Sequence, residues 1–218
     1  MGNTNNNPDT AAAPKGKSRY QSKDELPANL VPHPRFGAKI RKSGFKVDET
    51  EIRRSCCAKE SETIFPNTVR TADTTKQHNG YNPPRFYYVD ILKKCETCRR
   101  PFIFHAQEQQ YWYEALGFYY ASECPNCPEC RHADRQLRHS SQRYAITIGR
   151  PDLSDGELLT LIEDAVTLFN ANILKDQQCL RRLRNLARQR LPDNDVIEMI
   201  DQAIAKRKLV SVEPPNQP

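Results

Sequence analysis

The chain has no run of about 18 apolar residues, so it holds no candidate membrane helix. After Met1 the stretch GNTNNNPDTAAAPKGK lacks an apolar core, which excludes a signal peptide. Asn6 stands where an N-myristoylation signal needs Ser or Thr. There is no G-x-S-x-G elbow, no Gly-rich phosphate loop and no H-E-x-x-H helix, so the familiar routes to hydrolase, nucleotide and metalloprotease chemistry are missing. Apolar residues are also sparse: 37% of 218, with a mean hydropathy of −0.80. Part of the chain is therefore expected to stand outside any packed core.

Cysteine is what the sequence has instead. Without a secretion signal, its eight cysteines are expected in a reducing compartment, the cytoplasm, where clustered C-x-x-C pairs hold metal rather than form disulfides. Cys95 and Cys98 make one such pair. Cys124, Cys127 and Cys130 make a second cluster, CPNCPEC. Two pairs brought face to face supply the four tetrahedral thiolates that zinc prefers. Cys127-Cys130 is the preferred second pair, because Pro128 fits a first helical turn and the positive end of that helix favours thiolates. Cys124 is the alternate. Adjacent Cys56 and Cys57 read as ordinary thiols, and His105 and His132 as packing or surface residues.

The expected fold is α+β. Residues 1–28 read as a disordered tail and 29–85 as an extended, mostly irregular segment ending at Asn82-Pro83-Pro84. Residues 86–140 read as a zinc-ribbon or treble-clef-like module. In it, strands over 85–94 and 100–105 flank the Cys95–Cys98 turn, a helix covers 106–116 with Gly117 as its cap, and the second knuckle leads into another helix. Tyr111, Trp112, Ala115 and Leu116 form that first helix's apolar set, with Trp112 as core anchor. A short strand is expected over 144–148. Residues 150–208 read as a three-helix unit, opened by the capping box Ser154-x-x-Glu157, continued over 175–190, and resumed after Pro192 with Asp193 or Asn194 as cap. Residues 209–218 read as a tail.

Charge is uneven: residues 1–85 carry about +6, 86–130 about −2, 131–150 about +4 and the remainder about −2. The candidate nucleic-acid contacts are Lys93, Lys94, Arg99 and Arg100 beside the first knuckle, with Arg131, Arg135 and Arg138 at helical spacing after the second. Tyr87, Phe102, Tyr119 and Tyr120 are candidate stacking partners for unpaired bases. Arg181, Arg184 and Arg188 share a face of a later helix, as any amphipathic helix would allow.

The residues Tyr87-Tyr88-Val89-Asp90, Cys95-x-x-Cys98, Arg100-Pro101-Phe102-Ile103-Phe104, Glu108-Gln109, Tyr111-Trp112-Tyr113-Glu114, Gly117-Phe118 and Cys127-Pro128-Glu129-Cys130-Arg131 resemble the probable zinc-ribbon family, found in many bacterial proteins of unassigned function. The resemblance implies zinc as cofactor and Cys95, Cys98, Cys127 and Cys130 as ligands. It implies no reaction. The expected function is a non-catalytic zinc-stabilised module that binds a protein or a nucleic acid, with neither a membrane nor a small-molecule substrate. A redox-active dithiol enzyme or zinc-dependent thiol sensor is the alternative.

Overall fold

The computed structural model describes residues 26–45, 47–55, 58–192 and 194–210. Most of the tails expected at 1–28 and 209–218 (residues 1–25 and 211–218), the Cys56-Cys57 pair and Asp193 lie outside the described residues. The elements are α1 (Glu49–Ser55), β1 (Thr63–Thr71), β2 (Tyr87–Lys94), β3 (Pro101–Phe104), α2 (Ala106–Gln110), α3 (Pro128–Thr147), α4 (Asp155–Asn170), α5 (Gln177–Arg190) and α6 (Val196–Val210). They fall into two compact units, 1–127 and 128–218.

The first unit is built on an antiparallel sheet of order β1-β2-β3. In β2, side chains alternate between faces. Val89 and Ile91 point one way and pack with Ile52 of α1 and Ile64 and Val69 of β1. Tyr88 points the other way and packs with Ala106 and Tyr113. Burial on both faces explains why β2 reads as a near-continuous apolar run rather than an alternating one. Fully burying one aromatic such as Tyr88 or Phe102 contributes roughly 2–3 kcal/mol.

The segment 29–85 is mostly outside regular elements, as expected, but it is not wholly irregular, because it supplies α1 and the nine-residue β1. β1 was hidden by Pro66-Asn67, which interrupts its pattern. The register with β2 shifts between Phe65 and Arg70, and a bulge is where a strand tolerates proline. Asn82-Pro83-Pro84 is not a boundary either. Ala72 N–H donates to Phe86 O, and Tyr120 N–H to His78 O, so this loop is laced into the unit.

The helix expected over 106–116 also differs. α2 ends at Gln110 and continues as a π-helical turn, Tyr111–Ala115. The wider turn swings Tyr113, 1% exposed, into the core, while Tyr111 and Leu116 face solvent. Tyr113, not Trp112, is the core anchor. Its ring stacks on Tyr88 and carries the Arg85 guanidinium 4.2 Å from its centroid, and its hydroxyl donates to Ser122 O at 2.6 Å. Trp112 is half-buried between Phe104 and Phe118. Gly117, at φ +64, ends the turn.

Among the described residues the second unit holds the three helices expected over 150–208 together with α3. α3 runs through Thr147 and Ile148 follows in a turn, where a short strand was expected over 144–148. Tyr144 belongs to the helical register: it packs against the unit's core, and its hydroxyl lies 3.0 Å from Cys179 Sγ. Tertiary packing overrides the β propensity of the branched residues. α4 buries a wide apolar face and leaves a stripe of Gly156, Thr160, Glu163, Thr167 and Asn170 exposed, meeting α5 through Leu180, Leu183 and Ala187 and α6 through Val196, Ile200, Ala203 and Ile204. Its buried Asp164 receives Arg143 of α3 through two bonds, at 2.6 and 2.9 Å. The Ser154 capping box opens α4, Asp176 caps α5, and Asn194 Oδ1 accepts Val196 N–H ahead of α6, which extends to Val210.

Candidate metal centre

β2 and β3 pair from Ile91–Phe104 to Lys94–Pro101, so the chain must reverse across six residues. Cys95 N–H donates to Arg100 O and Arg99 N–H to Cys95 O, both at 3.0 Å. Arg99 takes φ +62 to close the turn. That tight reversal turns both sulfurs of the first pair the same way. The second knuckle is fastened to it by Glu96 N–H, which donates to Pro125 O at 3.0 Å, and by Cys127 N–H, which donates to Cys95 Sγ at 3.3 Å. Pro128 then opens α3, placing Cys130 in its first turn.

The sulfurs of Cys95, Cys98, Cys127 and Cys130 all lie within 4.8 Å of one another. Four thiolates at a zinc–sulfur distance of 2.3 Å form a tetrahedron with edges of about 3.8 Å. Cys98 Sγ and Cys127 Sγ stand 3.8 Å apart, so the donor set has the size a metal ion needs. Cys95 and Cys127 are buried and the other two half-buried. Cys124 is also buried, but it lies outside the cluster and its thiol donates to Asn126 O at 3.5 Å. Of the two pairings the sequence left open, the geometry therefore gathers Cys127 with Cys130.

The backbone prepares the thiolates. Burial opposes charge on Cys95, yet the N–H groups of Cys127, Cys98 and Thr97 outweigh it and hold this thiol at about 6 instead of 9.0. Cys98 is lowered too, chiefly by Arg100 N–H against the opposing effect of burial. A folded pKa below the unfolded one gives stabilisation that is complete above the ordinary thiol pKa and lost as pH falls through about 6. A bound metal competes with the protons and moves that loss lower. Metal should thus stay bound at pH 7 and come off on acidification below about 6, as read with a chromogenic chelator. Release already complete above that pH would contradict this account.

Residues 89–139 match a probable treble clef domain. The β2–β3 hairpin with its knuckle, followed by a second knuckle at the start of α3, gives the treble clef its shape here. No curated protein and no solved structure matched the chain.

The candidate nucleic-acid residues differ in their settings. Lys93 is paired with Glu62 at 2.8 Å, and Arg100 is half-buried beside Cys98. Lys94 and Arg99 are exposed in a groove of about 650 Å³ that Glu62, Glu96 and Glu123 also line. On α3, Arg135 and Arg138 are exposed and Arg131 half-buried. Among the candidate stacking aromatics, Phe102 is core, Tyr87 and Tyr120 are half-buried, and Tyr119 is exposed. Of the later arginines, Arg184 and Arg188 pair with Asp201. Among the described residues no helix is long and apolar enough to cross a membrane.

Sequence reasoning missed the polar frame of the treble clef. Asp90, buried in β2, accepts from Ala106 N–H at 2.7 Å and from Arg41 N–H at 3.2 Å, and contacts His105 Nδ1 at 3.2 Å. It caps α2 in place of His105, whose side chain makes no cap. Gln109, fully buried, donates to Val89 O and Phe104 O and ties α2 to the sheet. The signal for this frame was an aspartate inside an apolar strand, which needs partners to be tolerated there.

Proposed function

We propose that the chain is a non-catalytic, zinc-stabilised module that binds another macromolecule in a reducing compartment. The observation that carries this reading is the donor set itself. Four thiolates close a tetrahedral site and leave no position for water or substrate, so the metal holds the hairpin to the start of α3 rather than doing chemistry. Zinc suits four soft donors better than the harder divalent ions do. A protein partner is the better-supported class. The cations beside the first knuckle are partly neutralised by Glu62 and by the Lys59–Glu123 pair, so among the described residues the charge there is mixed rather than basic. Exposed Arg135 and Arg138 are what support a nucleic acid.

Metal content tests the centre directly. Mass spectrometry of the purified chain is expected to find one zinc, kept by Cys124→Ser and lost by Cys130→Ser. The opposite pattern would move the site to Cys124, and absence of zinc from the wild type would end the reading.

A further inference from the structure

The first unit holds a second cluster of chemistry, away from the cysteines. A cavity of about 310 Å³ is lined by Arg41, Lys42, Ser43, Arg70, Asp90 and His105 among others. Three of these are cations, and none of the three has a carboxylate ion-pair partner among the described residues. Elsewhere in the chain cations are commonly paired, as in Lys93–Glu62, Arg143–Asp164 and Arg190–Asp155.

The cations are held in place by the fold. Arg41 N–H donates to buried Asp90, and Ser43 N–H donates to Asn67 O at 2.9 Å, so the backbone is pinned on both sides of Lys42. The bulge in β1 falls between Phe65 and Arg70, where a bulge re-aims the side chains that follow. Arg70 Nε donates to Gln110 Oε1 at 3.0 Å, which orients the guanidinium and leaves its terminal N–H groups without a partner among the described residues. The Arg41 guanidinium lies 5.3 Å from the Phe36 ring centroid. The carboxylate in the lining is spent, since Asp90 is 1% exposed and already meets two backbone N–H groups and the His105 ring. His105 is likewise 1% exposed, yet its Nε2 has no hydrogen-bond partner.

Three unpaired cations on a pinned frame, around a polar cavity of this size, have the chemistry of an oxyanion receptor. We infer that this cavity binds a phosphoryl group, through Lys42 and Arg70 with Arg41 at its rim. The group is either free phosphate or a phosphodiester of a nucleic-acid strand. No cysteine takes part, so on the metal-loaded chain a failure of phosphoryl binding is distinguishable from a failure of the metal centre.

The test titrates the full-length, metal-loaded chain with inorganic phosphate, and separately with a single-stranded oligonucleotide, at constant ionic strength, by calorimetry. Saturable binding of phosphate is expected, weakened about tenfold or more by Lys42→Gln and by Arg70→Gln, with metal content unchanged. Oligonucleotide binding weakened by the same two variants, where phosphate alone fails to bind, would support the site and assign it to a strand. Lys42 is exposed, so its variant is expected to fold and decides the matter if Arg70→Gln does not. Failure of both probes to bind, or binding that Lys42→Gln leaves unchanged, overturns the inference.

Discussion

Stripping the metal with a chelator is expected to unfold the first unit and leave the second standing. Structural zinc contributes about 10 kcal/mol or more to the folding of small modules, which is as much as the whole net stability of a typical domain. The first unit depends on it because its apolar residues are shared between the two faces of a small sheet. The second unit has one large cluster drawn from α4, α5 and α6, to which none of the four clustered cysteines belongs. Trp112 is the only tryptophan and sits in the first unit, so its fluorescence reports that unit alone. Chelation should shift its emission to that of solvated indole, while most of the far-ultraviolet helical signal, which comes from α3 to α6, remains. A tryptophan signal and melting curve unchanged by the chelator would show that the fold does not rest on the metal.

Asp90→Ala is expected to be the costliest change away from the cysteines. It strips the acceptor from Ala106 N–H and Arg41 N–H and the partner from His105, around a carboxylate that is itself almost fully buried. Removing one member of a buried polar cluster typically costs about 3–5 kcal/mol, because the others stay buried and unsatisfied. For a unit of this size that lowers the midpoint of its thermal transition by roughly 10–20 °C. Asp90→Asn keeps the shape and one acceptor oxygen, so it should lie between Ala and wild type. Differential scanning calorimetry would settle this, and an Ala variant within about 1 kcal/mol of wild type would refute the role given to the carboxylate.

What the sequence made legible was local. The C-x-x-C spacing, the strand leading into Cys95, the Ser154 capping box and Gly117 each encode their geometry within a few residues, and each stands where its pattern placed it. β1 was illegible because its evidence lies across the chain, in Ile64 opposite Ile91 and Thr71 opposite Tyr87, with Pro66 breaking the pattern between them. The π-helical turn has no signature of its own, since Tyr111, Trp112 and Tyr113 fit an α-helix equally well until Tyr88 and Arg85 select which of them is buried. The length of α3 was hidden for the same reason: Tyr144 finds its place only once Cys179 and the core are present. The choice between Cys124 and Cys130 needed the position of the α3 start, which Pro128 suggested and the folded backbone supplied.

Val31 pairs with Phe102 along the outer side of β3, its N–H donating to Pro101 O at 2.8 Å, while β1 occupies the far side of β2. The smallest autonomous piece of this protein is therefore larger than the segment that matches a family. Cut down to residues 89–139, the hairpin would present raw strand edges on both sides, each a template for pairing with another copy. The Val31 bridge and β1 thus each cover part of an edge that the bare hairpin would leave open.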